Sequence, residues 1–188
     1  MFIRHLFFTV AFTIFSYHAQ AAKPIIVSQD KRGDFQGTDD KPIQAAIDKA
    51  VKQGGGDILI RAGTYEIKHG IMLKDAQHIA LRGGEKEGVI LKLMIRQEDA
   101  AGLIELRGKC EDVLIAKLTL DGGRTADGPP LRASDQLCGV LAAGACDLEK
   151  GRTGPPLKQI GIQDCIIQNM FGRGIAFCSV EEIGRAHV

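Results

Sequence analysis

A short apolar run recurs along this chain at intervals of about 35 residues. Its four copies begin near Ile71, Ile104, Val140 and Ile175. Each of the first three copies is followed by two more runs, as at 78–81 and 89–91 after the first. Three short strands per period, separated by turns, are typical of a chain wound into successive coils. The pattern therefore predicts an all-β solenoid of parallel strands, a shape that offers one extended binding face.

A different pattern precedes the coils. Apolar residues at helical spacing predict an amphipathic helix over about residues 41–53, and Gly54-Gly55-Gly56 ends it. Asp39 or Asp40 is placed to cap its N-terminus. The coils are expected to begin at about residue 57. A helix at this point would cover the open end of the solenoid and its unpaired strand edge.

The first 21 residues have the pattern of a secretory signal peptide. Arg4 supplies a basic region, an apolar stretch runs from Leu6 to Tyr17, and small residues at Ala19 and Ala21 predict cleavage after Ala21. The alternative is a membrane anchor, but this stretch is too short to cross roughly 30 Å of hydrocarbon. We therefore expect an exported protein, periplasmic or extracellular, with no membrane attachment after cleavage.

The last residues, 183–188, read IGRAHV and resemble the translation of a widely used sequencing-adapter oligonucleotide. The alternative is a natural terminus that matches by chance. A further strand is due where this segment begins. We therefore expect residues 22–182 to be the N-terminal part of a longer domain, truncated after about three coils.

The charge balance bears on the class of partner. The formal net charge is +1 at pH 7, and the sequence contains no long run of like charge. Nucleic-acid binding favours a strongly basic face, so the composition argues against a nucleic-acid partner. No metal-ligand spacing such as C-x-x-C occurs in the sequence, and we predict no metal site from it.

All five cysteines lie in the C-terminal half of the chain. Cys110 and Cys146 follow their repeat starts by the same offset, and equivalent positions in successive coils stack about 4.8 Å apart. That separation suits a disulfide, so we predict a bond between Cys110 and Cys146. Cys165 aligns with Leu118 and is expected to be a thiol that points into the core.

Residues 33–67 read GDFQGTDDKPIQAAIDKAVKQGGGDILIRAGTYEI. This segment resembles the opening motif of the pectate lyase-like right-handed parallel β-helix superfamily, approximately GDGxTDDTxAIQxAIDxAxxxGGGxVxLPxGTY. It departs from the motif at Phe35-Gln36, Lys41-Pro42 and Arg61-Ala62. The resemblance implies a right-handed parallel β-helix. It marks the N-terminal region shared by polysaccharide lyases, alginate C5-epimerases and rhamnogalacturonan-active enzymes, and not their chemistry.

The same resemblance implies an exported carbohydrate-active protein that acts on an acidic polysaccharide such as pectin or alginate, as a lyase or epimerase. Such chemistry needs a cation to neutralise the substrate carboxylate and a base near the proton. Two alternatives stay open: a non-catalytic glycan-binding or adhesin-type surface protein, and a polysaccharide hydrolase with paired carboxylates. The sequence up to Glu182 contains neither the complete cation-and-base set of a lyase or epimerase nor the paired carboxylates of a hydrolase. We therefore expect the catalytic residues to lie mostly beyond Glu182, and we expect this chain to be inactive. No cofactor is identified, and Ca²⁺ is implied by the resemblance only.

Four residues are candidates for lining a substrate groove. Asp121 and Arg124 follow a strand in Asp-Gly-Gly-Arg, Asp164 lies between two successive strands, and Arg173 lies in a Gly-Arg-Gly turn. The alternative is that these are ordinary turn residues, in which Asp accepts backbone hydrogen bonds and glycine supplies positive φ. Polysaccharide is the expected partner in the first case.

Two segments and two histidines complete the set of candidates. The loops at 121–136 and 144–157 are rich in Gly, Pro and charge and would wall a groove. His69 and His78 flank the first full coil, and the sequence supplies no partner for either. We expect these histidines to be structural or simply exposed.

Overall fold

The computed structural model describes residues 23–84, 88–94, 102–125, 137–144, 146–147, 151–152 and 154–181. They form one helix, α1 (Asp40–Lys52), and short strands. The strands are β1 Ile25–Ser28, β2 Phe35–Gln36, β3 Gly56–Ile60, β4 Gly63–Ile67, β5 Ile71–Lys74, β6 Gln77–Gly83, β7 Val89–Leu93, β8 Gly102–Arg107, β9 Glu111–Ala116, β10 Thr119–Asp121, β11 Cys138–Ala143, β12 Cys146–Asp147, β13 Gly151–Arg152, β14 Lys158–Gln163, β15 Ile166–Gln168 and β16 Ile175–Cys178. The signal peptide and the adapter-like segment predicted from the sequence lie outside the described residues.

The strands form three parallel sheets and one small antiparallel hairpin. Sheet 1 has the order β14-β9-β6-β3-β1-β2, sheet 2 the order β15-β10-β7-β4, and sheet 3 the order β16-β11-β8-β5. Each sheet therefore pairs strands from successive sequence repeats. We call one strand from each sheet a rung: β3–β5 form the first rung, β6–β8 the second, β9–β11 the third and β14–β16 the fourth. The fold is all-β with a single helix among the described residues.

The register of sheet 3 confirms the repeat seen in the sequence. Ile71 pairs with Ile104, Ile104 with Val140, and Val140 with Ile175, all in parallel ladders. The first three of these side chains are fully buried. Because side chains alternate between the faces of a strand, this column fixes which residues of sheet 3 point inward.

Inward-facing residues of all three sheets belong to one apolar cluster. In sheet 2 the inward column is Tyr65, Leu91, Leu120 and Ile167. Tyr65 is fully buried, and its hydroxyl donates a hydrogen bond to the Arg61 carbonyl oxygen at 3.0 Å. That bond lets the polar end of a large aromatic side chain lie within the core. The residues on either side of Tyr65 in β4, Thr64 and Glu66, are exposed.

Helix α1 closes one side of this cluster, close to the predicted bounds. The Asp39 carboxylate accepts a hydrogen bond from the Lys41 N–H at 3.2 Å and caps the helix N-terminus. Ile43, Ala46 and Ile47 are buried in the common core. At the C-terminal end Gly55 has φ +138, and a Cβ there would lie 2.8 Å from the His78 carbonyl oxygen. Glycine is therefore required where the helix turns back onto sheet 1.

The N-terminal strand β1 was not predicted from the sequence. It pairs with β3 in parallel, with Ile25 opposite Ile58, and extends sheet 1 by one strand. β2 then adds to the outer side of β1. Within the described parts of the chain, no helix has the length and apolar character needed to cross a bilayer.

The predicted disulfide between Cys110 and Cys146 is wrong. Cys110 is a free, buried thiol, and its Sγ lies 3.2 Å from the Arg107 carbonyl oxygen. The register explains the error. The Lys158 N–H donates a hydrogen bond to the Cys110 carbonyl oxygen at 3.0 Å, so the residue beside Cys110 on the fourth rung is Leu157 and not Cys146. Cys146 instead lies in the β12–β13 hairpin, which is inserted between the third and fourth rungs.

The other described thiols fit the core. Cys138 and Cys165 are buried thiols. Cys165 lies next to Ile166, which pairs with Thr119, and this places Cys165 opposite Leu118 as predicted. Cys178, at the end of β16, is disulfide-bonded.

Candidate functional site

A row of polar residues crosses the outer face of sheet 2. Glu66 pairs with Lys92, Lys92 with Asp121, and Asp121 with Gln168. An isolated parallel bridge places Asp39, the helix cap, beside Glu66. We call these five residues the polar row. Parallel strands lie about 4.8 Å apart, so the row is about 19 Å long and has a fixed pitch.

The row faces outward because its neighbours in each strand face in. Tyr65 and Ile67 flank Glu66 and are fully buried, and Leu91 and Leu93 flank Lys92 in the same way. The period-2 alternation of strands therefore exposes the charged member of each triplet. This arrangement follows from the apolar-polar-apolar pattern of Tyr-Glu-Ile and Leu-Lys-Leu in the sequence.

Asp121 is the most constrained member of the row. Its carboxylate accepts hydrogen bonds from the Gly123 N–H at 2.8 Å, the Asn169 side-chain amide at 3.1 Å and the Gln168 side-chain amide at 3.2 Å. Burial of the carboxyl raises its pKa, but these hydrogen bonds and the positive charge of Lys92 outweigh that effect. The net result is a lowered pKa. Asp121 is therefore held as an anion.

Arg124 follows Asp121 in the same turn, and the two are tied to one partner. The Arg124 N–H donates to the Asn169 carbonyl oxygen at 3.1 Å, while the Asn169 side chain bonds Asp121. Asn169 has φ +54, the left-handed region that asparagine tolerates well. The exposed Arg124 guanidinium thus lies on a turn that is fixed against the next rung.

The other two groove candidates are placed differently. Arg173 is exposed on the turn that leads from β15 to β16, and its carbonyl oxygen accepts the Gly139 N–H at 3.0 Å. It shares with Arg124 the side of the molecule where sheet 2 leads into sheet 3. Asp164 lies on the turn between sheets 1 and 2, with φ +51, and is exposed. The structure therefore groups three of the four candidates and separates Asp164 from them.

Two histidine–aspartate pairs were missed by the sequence analysis. His69 Nδ1 lies 3.1 Å from Asp40 Oδ2, and His78 Nδ1 lies 2.9 Å from Asp112 Oδ2. The partners are far apart in sequence, so no local motif signals either contact. The predicted repeat could have found the second pair, because His78 and Asp112 occupy equivalent positions in successive rungs.

The two pairs differ in burial. The Asp40 side chain is only 9% exposed and the His69 ring 70%, whereas His78 and Asp112 are 65% and 60% exposed. The second Asp40 oxygen accepts the Lys68 N–H at 2.9 Å. Burial raises the pKa of Asp40, but the hydrogen bonds from Lys68 and His69 outweigh it and the pKa is lowered. His69 is therefore held by a buried carboxylate.

A depression of about 520 Å³ adjoins the helix end of the polar row. Its lining includes Phe35, Gln36, Gly37, Thr38, Asp39 and Lys41. The Glu66 N–H donates to the Thr38 carbonyl oxygen at 2.7 Å, which ties this depression to the first rung. The polar row thus runs from the depression to the fourth rung.

The described residues do not fit a calcium centre. Calcium is bound by six to eight oxygen ligands, several of them carboxylates. Among these residues, no group of three or more His, Cys, Asp or Glu is placed to hold a metal ion. In the polar row Lys92 lies between the acidic residues Glu66 and Asp121, and its positive charge would weaken cation binding there. We therefore derive no step through Ca²⁺.

Comparison of the chain with protein-family models, with curated proteins and with solved structures finds no match.

Proposed function

We propose that this chain is part of an exported, right-handed parallel β-helix protein of the pectate lyase-like kind, which acts on an acidic polysaccharide as a lyase or epimerase. The observation that carries the proposal is the polar row. A straight line of polar side chains at fixed pitch is suited to a ligand that is itself a regular polymer. The opening motif at residues 33–67 and the three parallel sheets support the same fold.

Three cationic side chains suited to an anionic ligand lie in or beside the polar row. Lys92 lies within it, and Arg124 and Arg173 are exposed on the adjoining turns. The charge of Asp121, the acidic residue next to Lys92 on the third rung, is stabilised by three hydrogen-bond donors and by Lys92. Guanidinium groups bind carboxylates through two parallel hydrogen bonds. The two arginines are thus available to bind the carboxylates of a uronic acid chain.

Two observations favour a site outside the cytoplasm. The first residues have the charge and apolar pattern of a signal peptide. Cys178 is disulfide-bonded, and disulfides persist in oxidising compartments. Large acidic polysaccharides are found in the same surroundings, so the proposed location and the proposed substrate agree.

The proposal is tested by binding. The full chain is run by affinity electrophoresis through gels that contain polygalacturonate, alginate or the neutral polymer dextran. We expect retardation by the acidic polymers only. Lys92→Ala and Arg124→Ala should each weaken this retardation about tenfold, since each removes a charge-assisted contact.

Lys74→Ala is the matched control, because Lys74 is also exposed at the end of a strand but belongs to sheet 3. It should leave binding unchanged. Equal retardation by dextran, or an equal effect of all three substitutions, would contradict the proposed site.

A further inference from the structure

We propose that His69 transfers the proton in the reaction of this site and that Asp40 is its positioning residue. This inference rests on the proposed function, because it assigns the base that a lyase or epimerase of uronic acids requires. It departs from the expectation that the catalytic residues lie mostly beyond Glu182.

The first support is the unequal exposure of the pair. A buried carboxylate holds one ring nitrogen of His69, while the ring itself is 70% exposed. The Asp40 side chain accepts from two groups, the Lys68 N–H at 2.9 Å and His69 Nδ1 at 3.1 Å, so it cannot turn away from the ring without losing both. A carboxylate that orients an imidazole in this way is the base–orienter arrangement of many hydrolytic sites.

The second support is the tautomer that this contact imposes. An ionised carboxylate only accepts hydrogen bonds, so the Nδ1 atom that faces Asp40 carries the hydrogen. The other nitrogen of the neutral ring, Nε2, then carries no hydrogen. In the neutral ring it is ready to accept a proton from a substrate.

The third support is position. His69 comes three residues after Glu66 in the chain, on the turn from sheet 2 to sheet 3. Arg124 follows Asp121 by the same interval on the equivalent turn of the third rung. Glu66 and Asp121 are two rungs apart, about 10 Å. One polymer lying along the row can therefore reach an imidazole and a guanidinium at different sugar units.

In a lyase, His69 acts on C5 of the uronate unit. His69 Nε2 takes the proton from C5 of a uronate unit, and the C5–H electron pair forms a double bond between C4 and C5. The bond from C4 to the glycosidic oxygen breaks, and that oxygen leaves with the electron pair and takes a proton from water. The imidazolium then returns its proton to the hydroxide that remains.

The test uses the full chain with polygalacturonate and alginate, and follows the ultraviolet absorbance of the new double bond. His69→Ala should lower kcat at least 100-fold while affinity retardation by the polymer changes less than twofold. The matched control is His78→Ala, since His78 makes the same contact with Asp112 but on the other side of the molecule. It should leave both measurements unchanged.

Asp40→Asn tests the positioning role. Asparagine can still accept the Lys68 N–H, but its amide would donate to Nδ1 and leave the proton on Nε2. Nitrogen NMR shifts of His69 should therefore report a change of tautomer, while the circular dichroism spectrum is kept. We expect kcat to fall at least tenfold with KM within twofold.

The possible outcomes distinguish this proposal from the proposed function. Turnover that is lost with His69→Ala but not with His78→Ala supports the proposal. Binding and turnover that survive His69→Ala overturn it and leave the proposed function standing. A wild-type chain that neither binds nor converts either polymer overturns the proposed function, and the role of His69 falls with it. A hydrogen on Nε2 in the wild-type NMR spectrum also overturns the assignment.

Discussion

Arg82 and Asp57 form a two-pronged ion pair on the outer face of sheet 1. Arg82 Nε lies 2.7 Å from Asp57 Oδ1, and Nη2 lies 2.6 Å from Oδ2. Each side chain is 31% exposed. The pair joins the first rung to the second, and its planar geometry depends on a guanidinium group.

Replacing this guanidinium by an ammonium should cost stability. We expect Arg82→Lys to lower the free energy of unfolding by about 1 kcal/mol, because lysine cannot make both parallel bonds. Urea denaturation provides the measurement. Arg32→Lys, at a local and more exposed pair with Asp30, should give no measurable change. Equal effects at the two sites would show that the two parallel hydrogen bonds of Arg82 do not contribute to stability.

A column of residues in the left-handed backbone conformation offers a site for a stabilising substitution. His78, Asp112 and Gln159 each have φ +52 at equivalent places in successive rungs of sheet 1. Glutamine disfavours this region by roughly 1 kcal/mol or more, whereas asparagine tolerates it. Gln159→Asn should therefore raise the free energy of unfolding by up to about 1 kcal/mol, measured by urea denaturation.

Gln163 in the same strand supplies the control for this column. It is exposed like Gln159 but is not among the residues with positive φ. Gln163→Asn should be neutral or slightly destabilising, because asparagine is disfavoured in strands. If both substitutions stabilise the protein, backbone conformation is not the cause.

The lowered pKa of Asp121 predicts a dependence of stability on pH. A carboxyl whose pKa is lower in the folded state contributes stability above its unfolded pKa of about 3.9, and this is lost as pH falls through the folded value. Asp121→Asn should therefore lower stability at pH 7 and flatten its decline below about pH 4. Denaturation at a series of pH values gives both results. If Asp121→Asn leaves the decline of stability at acid pH unchanged, the lowered pKa of Asp121 is not its cause.

The buried thiols should be unreactive until the protein unfolds. Burial raises the pKa of Cys110, Cys138 and Cys165, and a thiol reacts as its thiolate. Mass spectrometry after treatment with iodoacetamide should find these three unmodified under native conditions and modified in guanidinium. Recovery of Cys110 in a disulfide-linked peptide would contradict the register described here.

The sequence predicted the repetitive part of this fold well. Apolar runs at a constant interval placed Ile71, Ile104 and Val140 in one column, because every inward position needs an apolar side chain and turns of similar length keep the register. The same reasoning failed for Cys146. An insertion between the third and fourth rungs shifts the count, and periodicity alone does not show where extra residues leave the repeat.

The candidate site was predicted only where it follows a strand end. Asp121 and Arg124 could be identified because a polar group after an apolar run marks a turn. The side chain of the partner Asn169 bonds Asp121 on the preceding rung, so this contact joins two repeats. The pair of Asp40 and His69 depends on how the helix packs against the first rung, which no local pattern in the sequence records.

The stacked register also predicts the order in which the rungs unfold. Val140 is fully buried beneath the fourth rung, while Ile175, its partner in that rung, is half-buried. Where each rung contacts only the rungs next to it, unfolding of one rung exposes the core of the next. Amide hydrogen exchange should therefore advance as a front from β14–β16 towards the helix, and the backbone around Ile43 and Ile71 should be the last to exchange.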